Sequence, residues 1–369
     1  MRCKRFHRRV FSGAMRKRSA RLLDVARAAG VSLATASRAL GDPGLVLPQT
    51  RERVRQAAEM LGYVPHGAAR ALASRRSRTI GAVLPTIDNP IFASATQSLA
   101  RELARASYTL LLASDEYDPA MEISAVRALI ERGVDGLVLV GLDHPPELFQ
   151  AIAQAAVPYE LLWTLDRGRF HHCIGFDNRE ASAACTQHLL ALGHRRLAVL
   201  SGEQRHNDRA RDRVDGVRDA LKARRIALPA ERIVETPFTL QGGRQGLLAL
   251  WERLGRDGFT ALVCGNDLLA LGAVMECAAQ GVDVPRDLSI VGFDDIELSS
   301  EITPSLTTMR VPSGDVGRIA AERLLARLEG RILVEEMLKR FPTWQVDDEN
   351  ARLTPGFMTR GYESLPIFV

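Results

Sequence analysis

The chain contains no run of about 18 apolar residues, so no membrane-spanning helix is expected and no membrane partner. Its five cysteines (Cys3, Cys173, Cys185, Cys264 and Cys277) are scattered, and none forms a C-x-x-C pair. A disulfide scaffold and a structural zinc site are therefore disfavoured. The phosphate-cradling G-x-x-x-x-G-K-[ST], the nucleophile elbow G-x-S-x-G and the zinc-protease H-E-x-x-H are all missing. No enzyme and no cofactor are expected. His171-His172-Cys173 is the only dense group of metal-ligand type. Adjacent side chains on a strand point to opposite faces, so a solvated loop is the simpler reading. What remains is ordinary in bulk: 369 residues, 46% hydrophobic and 25% charged, two or three domains' worth of globular protein.

Charge is unevenly placed. Residues 1–78 hold 18 basic and 4 acidic side chains, a net of +14, against 31 and 40 in the remainder, a net of −9. Lys and Arg release condensed counterions from a phosphate backbone, so a basic end on an acidic body points to a nucleic-acid partner or to a basic tail. Residues 1–20 read as a basic extension. Residues 1–14 carry five basic residues and no acid, and Met15 is expected to be the true start. Without residues 1–14, residues 15–78 are still at +9.

Leu22, Leu23, Val25, Ala26 and Ala29 fall near helical spacing, and Gly30 then stops the helix. Ser32 is placed to cap a second helix over Leu33 to Leu40. Asp42-Pro43-Gly44 breaks the chain. Pro48 opens a third helix with Val54, Ala57, Ala58 and Leu61 on one face. Two short helices joined through a glycine turn make a helix-turn-helix over residues 21–66, and an ordinary helical subdomain fits the spacing as well.

The runs Asp24-Val25-Ala26, Ala29-Gly30-Val31-Ser32 and Thr35-Ala36-Ser37-Arg38-Ala39-Leu40 resemble the DNA-binding domain of the lactose repressor (LacI) family. The likeness continues through Thr50-Arg51-Glu52-Arg53-Val54, Leu61-Gly62-Tyr63-Val64-Pro65 and Ala68 to Ala73, and covers nearly all of residues 22–330. It implies a recognition helix that reads base edges in the major groove from its N-terminal residues. Leu33, Ala34 and Arg38 stand there. Arg38 has the donors for O6 and N7 of guanine, a contact worth about 1–3 kcal/mol of discrimination. Leu33 and Ala34 offer only apolar contact to thymine methyls, or in the case of Leu33 core packing. Thr35 and Ser37 suit phosphates, which set register. Residues 67–78 resemble the family's hinge helix, which folds on operator DNA in a dimer. Ala69 lies on it, and Leu72 matches the leucine that wedges into the minor groove. Such a wedge unstacks a base step at a cost of about a few kcal/mol.

From Arg78 the pattern becomes strands alternating with helices: Thr79–Leu84, Tyr108–Ser114, Gly136–Val140, Ala156–Leu162, Arg196–Leu200, Ala261–Cys264 and Ser289–Phe293 read as strands. This βαβ order argues for parallel sheets covered on both faces, as one barrel or as two doubly wound halves. The resemblance implies the second. The expected architecture is an all-α helix-turn-helix head joined by a hinge helix to an α/β, periplasmic-binding-protein-like body of two doubly wound parallel-sheet subdomains. The body is expected over 79–336, with crossovers near 175–178 and 305–310.

In open α/β sheets ligands bind beyond the carboxyl ends of strands. That rule selects four loops: Asp88-Asn89-Pro90-Ile91-Phe92, Asn207 to Arg213, Asn266-Asp267, and Asp294-Asp295. A loop aspartate is more often a turn residue or a helix cap. The resemblance gives these positions roles. Arg213 stands at the effector-binding arginine, before Val214-Asp215-Gly216. Asn266 matches an Asn-Asp pair and Asp294 a Gly-Phe-Asp-Asp motif. Phe92 and Phe238 stand near stacking or lid aromatics, and Trp163 near a cleft position where many members carry Asp. Asp88 and Asn89 complete the expected effector-binding set. Glu160-x-x-Trp163 with Gly175-Phe176-Asp177-Asn178 is similar to the gluconate-responsive subgroup.

Residues 318–330 read as an amphipathic helix ending at Gly330. Residues 337–369 lack the short Pro-x-x-Leu-x-x-Arg-Gly-Ser strand pair that the resemblance implies there and read as an atypical tail, with residues 340–369 expected to be poorly packed. The implied function is an operator-binding regulator, usually a repressor, whose DNA affinity is controlled by a sugar, a sugar acid such as gluconate, or a nucleoside. A bacterial cytoplasmic location and a homodimer or tetramer go with it, because two half-sites need two reading heads. A transport solute-binding protein would lack the helix-turn-helix, and a sugar- or nucleoside-processing enzyme would need a catalytic constellation. Arg38→Ala is expected to relax preference at one base pair by roughly tenfold or more. Operator variants scored in a binding titration check this, and an unchanged preference removes Arg38 from base reading.

Overall fold

The computed structural model describes residues 20–41, 45–64, 76–168 and 170–340, with four short strands between 345 and 368. The chain divides into two compact units, Met1–Ser77 and Arg78–Val369. In the first, α1 (Leu22–Ala28) begins where the Arg21 amide donates to Asp24 Oδ2 at 2.9 Å. Gly30, at φ +61°, turns the chain so that the Val31 amide reaches the Ala26 carbonyl at 3.0 Å. Ser32 Oγ then accepts the Thr35 amide at 3.1 Å and caps α2 (Leu33–Gly41). Pro48 opens α3 (Pro48–Met60). Val25, Ala26, Ala36, Ala39, Val54 and Ala57 close a small core. Leu61, expected on the same face, instead ends α3 and is 41% exposed, and Tyr63 packs on the core from beyond it. Residues 67–75 of the expected hinge helix, Asp42-Pro43-Gly44 and residues 1–19 lie outside the described residues, and residues 76–78 are not helical.

The second unit alternates strand and helix. Its first half holds β1 (Thr79–Leu84), α4 (Pro90–Arg105), β2 (Thr109–Ser114), α5 (Pro119–Glu131), β3 (Gly136–Val140), α6 (Pro146–Ala155), β4 (Tyr159–Leu162) and β5 (Cys173–Ile174). The chain crosses at 175–177 into α7 (Asn178–Ala191), β6 (Leu197–Ser201), α8 (Asp208–Ala223), β7 (Ile233–Glu235), α9 (Leu240–Leu254), β8 (Ala261–Cys264), α10 (Asp267–Ala279), β9 (Ser289–Asp294), α11 (Leu298–Glu301) and β10 (Thr307–Arg310). It returns through 311–312 to α12 (Ser313–Arg340), which packs on α4 of the first half. Both sheets are parallel and five-stranded, in the orders β2-β1-β3-β4-β5 and β10-β9-β8-β6-β7. Strands such as Gly136–Val140 and Leu197–Ser201 are buried at every residue, as sheets covered on both faces require. One apolar layer, including Val138, Val199, Val291 and Leu324, runs through both halves.

Three expectations are corrected. The strand expected from Ala156 starts at Tyr159, because Ala156 sits at φ +51° and terminates α6. The segment Asn207 to Arg213, selected as a ligand loop, is a cap and the first turns of α8, matching the helix that the sequence places near Asp208 to Arg224. The last helix does not stop at Gly330 but continues to Arg340: a helical glycine costs about 1 kcal/mol, which does not terminate a helix by itself. Beyond it, β11 (Gln345–Val346) pairs with β14 (Ile367–Phe368) and β12 (Arg352–Leu353) with β13 (Tyr362–Ser364), and none of the four joins either large sheet.

Arg323, Arg327 and Arg331 of α12 donate to the carbonyls of Cys173, Tyr159 and Ala156 at 3.1, 3.2 and 3.2 Å. Beneath them lies Glu160, fully buried, 3.6 Å from Arg323 and 3.4 Å from Arg327. Burial raises its carboxyl pKa and the two guanidinium groups oppose the rise. Glu160 therefore serves this packing seam and does not share the cleft with Trp163.

Gly216 marks a close approach of α8 to α7, since a Cβ there would overlap the Arg179 carbonyl oxygen. Gly216→Ala is expected to cost about 1–3 kcal/mol through overpacking. Thermal denaturation checks this, and an unchanged Tm rules out the tight seam.

Candidate functional site

The head presents one exposed face of α2. Leu33, Ala34, Ser37 and Arg38 lie on it, one turn apart in pairs. Leu33 is 50% exposed, so its side chain is available for contact and is not part of the core. Thr35 is half-buried, with its hydroxyl 2.8 Å from Ser32 Oγ. That bond engages it in the cap, beside the phosphate role expected for it. Ala69 and Leu72 lie outside the described residues.

In the body, the carboxyl ends of both sheets face one cleft. Three helices begin there, and an asparagine caps each. Asn89 Oδ1 accepts the Ile91 amide at 3.2 Å, Asn207 Oδ1 the Ala210 amide at 3.2 Å, and Asn266 Oδ1 the Leu269 amide at 2.9 Å. With Oδ1 committed to the cap, each side chain has its Nδ2 donors left. The helix N-termini add partial positive charge.

Arg213, from the second turn of α8, lies among these caps with its side chain 11% exposed. Its Nε donates to Asn178 Oδ1 at 2.9 Å and its Nη1 to the Gly265 carbonyl at 2.6 Å. Its guanidinium carbon lies 3.8 Å from the Phe293 ring centroid, a cation–π contact. Asp294 Oδ1 is 3.9 Å away, at the end of β9, on a residue at φ +124°. Such a backbone is costly for a non-glycine residue and is concentrated at functional sites. Burial lifts the Asp294 carboxyl to about 7, Arg213 holding it down and Asp267 pushing it up. Trp163, at φ +59°, meets Phe92 edge-on at a centroid distance of 4.8 Å. Trp163 Nε1 and Asn266 Nδ2 are buried donors with no hydrogen-bond partner.

The inner pocket thus brings together Asn89, Phe92, Trp163, Arg213, Phe238, Asn266 and Asp294. Asp88 is not among them and lies on the wider mouth, a cavity of about 1110 Å³. Free volume inside is about 30 Å³, water-sized, so a sugar-sized ligand requires the cleft to open or side chains to move. Asp267 and Asp295, on two of the selected loops, point elsewhere. Asp267 binds the Ile296 amide at 2.9 Å and the Ser299 and Thr308 hydroxyls at 2.7 and 2.5 Å, buckling the segment after β9. Asp295 accepts from Arg310 at 2.7 Å. Asn207 and Arg209, from the selected segment Asn207 to Arg213, also line the pocket, and so does Tyr117, which the sequence reading passed over. Tyr117 follows β2, so the rule that chose the other loops would have selected it. Asn178 and Phe293, which hold Arg213, carry no local signal of that role.

Residues 21–66 match the bacterial regulatory proteins of the lacI family, and residues 186–346 a periplasmic binding protein-like domain. The HTH-type transcriptional regulator GntR of Escherichia coli K12 is 32% identical over 324 residues, 88% of this chain and 96% of its own. The chain belongs to the LacI family. An HTH-type transcriptional regulator encoded 5′ of aml in Streptomyces limosus is 34% identical over 345 residues, 91% of this chain and 96% of its own. The lac repressor dimer bound to operator and an anti-inducer is 28% identical, with a TM-score of 0.73, covering 85% of this chain and 94% of that one. LacI-family proteins are transcriptional regulators that bind operator DNA and sugar effectors, not enzymes. No helix among the described residues is long and apolar enough to cross a membrane.

The raised Asp294 pKa fixes a sign. The fold favours the neutral carboxyl, so its contribution is complete below the ordinary pKa near 4 and is lost as the pH rises to about 7. Relative to Asp294→Asn, the wild type is expected to lose stability between about pH 4 and 7 and to change little above. Denaturant titrations of both chains across that range check it, and parallel curves would rule out a buried neutral carboxyl.

Proposed function

We propose that this LacI-family chain is a repressor that works as a homodimer and is controlled by a sugar acid of the gluconate kind, bound in the cleft. The observation that carries the ligand class is the surplus of donors. Arg213, Trp163 Nε1 and Asn266 Nδ2 converge in a buried pocket with one carboxyl facing them, and that carboxyl, Asp294, holds its proton up to about pH 7. A ligand that carries a carboxylate and hydroxyl oxygens supplies the missing acceptors, and Arg213 suits the carboxylate. Phe92, Trp163 and Phe238 give apolar faces for the carbon skeleton. The likeness of the Glu160 to Asn178 segment to gluconate-responsive regulators, and the relatives named GntR, support the same class.

On this reading Leu33, Ala34 and Arg38 read operator bases, with Thr35 and Ser37 at its backbone and Ala69 and Leu72 at the minor groove. The two half-sites of an operator fit a pair of heads. Regulation is linkage: a ligand that prefers one cleft geometry shifts the balance between operator-competent and incompetent states.

A thermal-shift comparison tests the class. Gluconate at about 100 times its Kd adds about 2.7 kcal/mol to the native state, whereas glucose and uridine are expected to add little. Arg213→Ala is expected to abolish the gluconate shift while operator affinity stays within about twofold. Stabilisation by glucose or uridine alone overturns the sugar-acid assignment, and a full gluconate shift in the variant removes Arg213 from the site.

A further inference from the structure

The first turn of α8 meets the turn after β3 across the cleft. Asp208 Oδ2 accepts the Leu142 amide at 3.0 Å and the Thr164 hydroxyl at 3.2 Å, both from the first half. Arg209 Nη1 donates to the Val140 carbonyl at 3.1 Å and to Asp208 Oδ1 at 3.0 Å. Arg211 Nη1 donates to Asp143 Oδ2 at 2.7 Å on the outer side. Asp208 and Arg209 are buried. Charged groups in such positions persist when their hydrogen bonds are satisfied, as they are here.

The receiving turn is held by its own hydrogen bonds. Gly141 donates to the Leu162 carbonyl at 2.9 Å, which ties the turn to β4. His144 spans it, with Nε2 donating to the Gly141 carbonyl at 3.0 Å and Nδ1 2.7 Å from Glu122 Oε1. Asp115, Asp118 and His206 line the same small cavity. Gly141 stands at φ +94°, where side chains are strained. A Cβ on it would overlap Arg209 Nη1 and crowd Asp208 Oδ1. The Asp208 and Arg209 side chains therefore reach the turn as they do because position 141 has no side chain.

We infer that the turn after β3 is a catch for the N-terminus of α8, that it holds the cleft shut, and that Gly141 is the residue permitting this approach of Asp208 and Arg209. The halves are joined by chain crossings at 175–177 and 311–312, which suits hinge motion. Charge-assisted bonds across such a cleft lock one of its two arrangements. The catch lies outside the inner pocket apart from Arg209, so it acts on the open–closed balance whatever ligand the pocket takes.

Trp163 reports that balance. It is 2% exposed and belongs to the pocket, not to the catch. In a full-length chain with Trp251→Phe and Trp344→Phe, acrylamide quenching without ligand reads its wetting. Gly141→Ala and Asp208→Ala are each expected to raise the quenching constant at least threefold. Amide exchange of Leu137–Leu139 in β3 is expected to stay within twofold of the parent, which separates opening from unfolding. An unchanged quenching constant in both variants, with β3 still protected, overturns the catch. If Gly141→Ala unfolds β3, Asp208→Ala decides, because it leaves the backbone of the turn as it is. The result is independent of operator and effector, so it fails or stands separately from the proposed function.

Discussion

Parallel strands deliver their carboxyl ends, and the N-termini of the helices that follow, to a single edge of each sheet. Everything at the cleft depends on that constraint. Asn89, Asn207 and Asn266 each close a helix with Oδ1 and so present donors to a shared space already made positive by helix ends. A carboxylate placed there, Asp294, stays neutral to about pH 7 because burial outweighs the pull of Arg213. The chemistry of the pocket is therefore set by backbone geometry before any special residue is considered.

The body reconciles two demands. It needs a continuous core for stability and a cleft that can change shape. The apolar layer shared by both halves, with α12 laid across the first, answers the first demand. The arginine row of α12 over the buried Glu160 joins helix to sheet edge with directional bonds, which fixes the register of that contact. The second demand is answered at the polar contacts between α8 and the turn after β3, where satisfied charges replace packed hydrocarbon.

Much of this was legible in the sequence. The helix-turn-helix followed from Gly30, Ser32 and Pro48, whose roles are local backbone chemistry. The strands Thr79–Leu84, Gly136–Val140 and Ala261–Cys264 stood out as apolar runs of strand length and match the structure residue for residue. Two helices did not stand out. Helix α9 carries Gly242, Gly243 and Gly246, which lower helix propensity and are offset by packing on α10. Helix α10 is buried on most sides and so lacks the polar face that makes a helical period visible. The extension of α12 past Gly330 was hidden because a glycine reads as a stop unless its conformation is known.

The sequence alone determined the class of architecture, the charge division between head and body, and the loops from which a site would be drawn. These are properties of local pattern and of strand direction, and both are written along the chain. Tertiary structure decided which loop residues meet. Asp267, one residue from Asn266, turns away to buckle the segment after β9, and Asp88 sits one residue outside the pocket that Asn89 lines. It also placed Glu160 under α12 and Trp163 in the cleft, three residues apart on one strand and its exit. Side-chain direction at a strand end depends on one or two backbone torsions, such as φ +59° at Trp163 and +124° at Asp294. No pattern of residue types encodes those torsions, because the packing of the whole body imposes them.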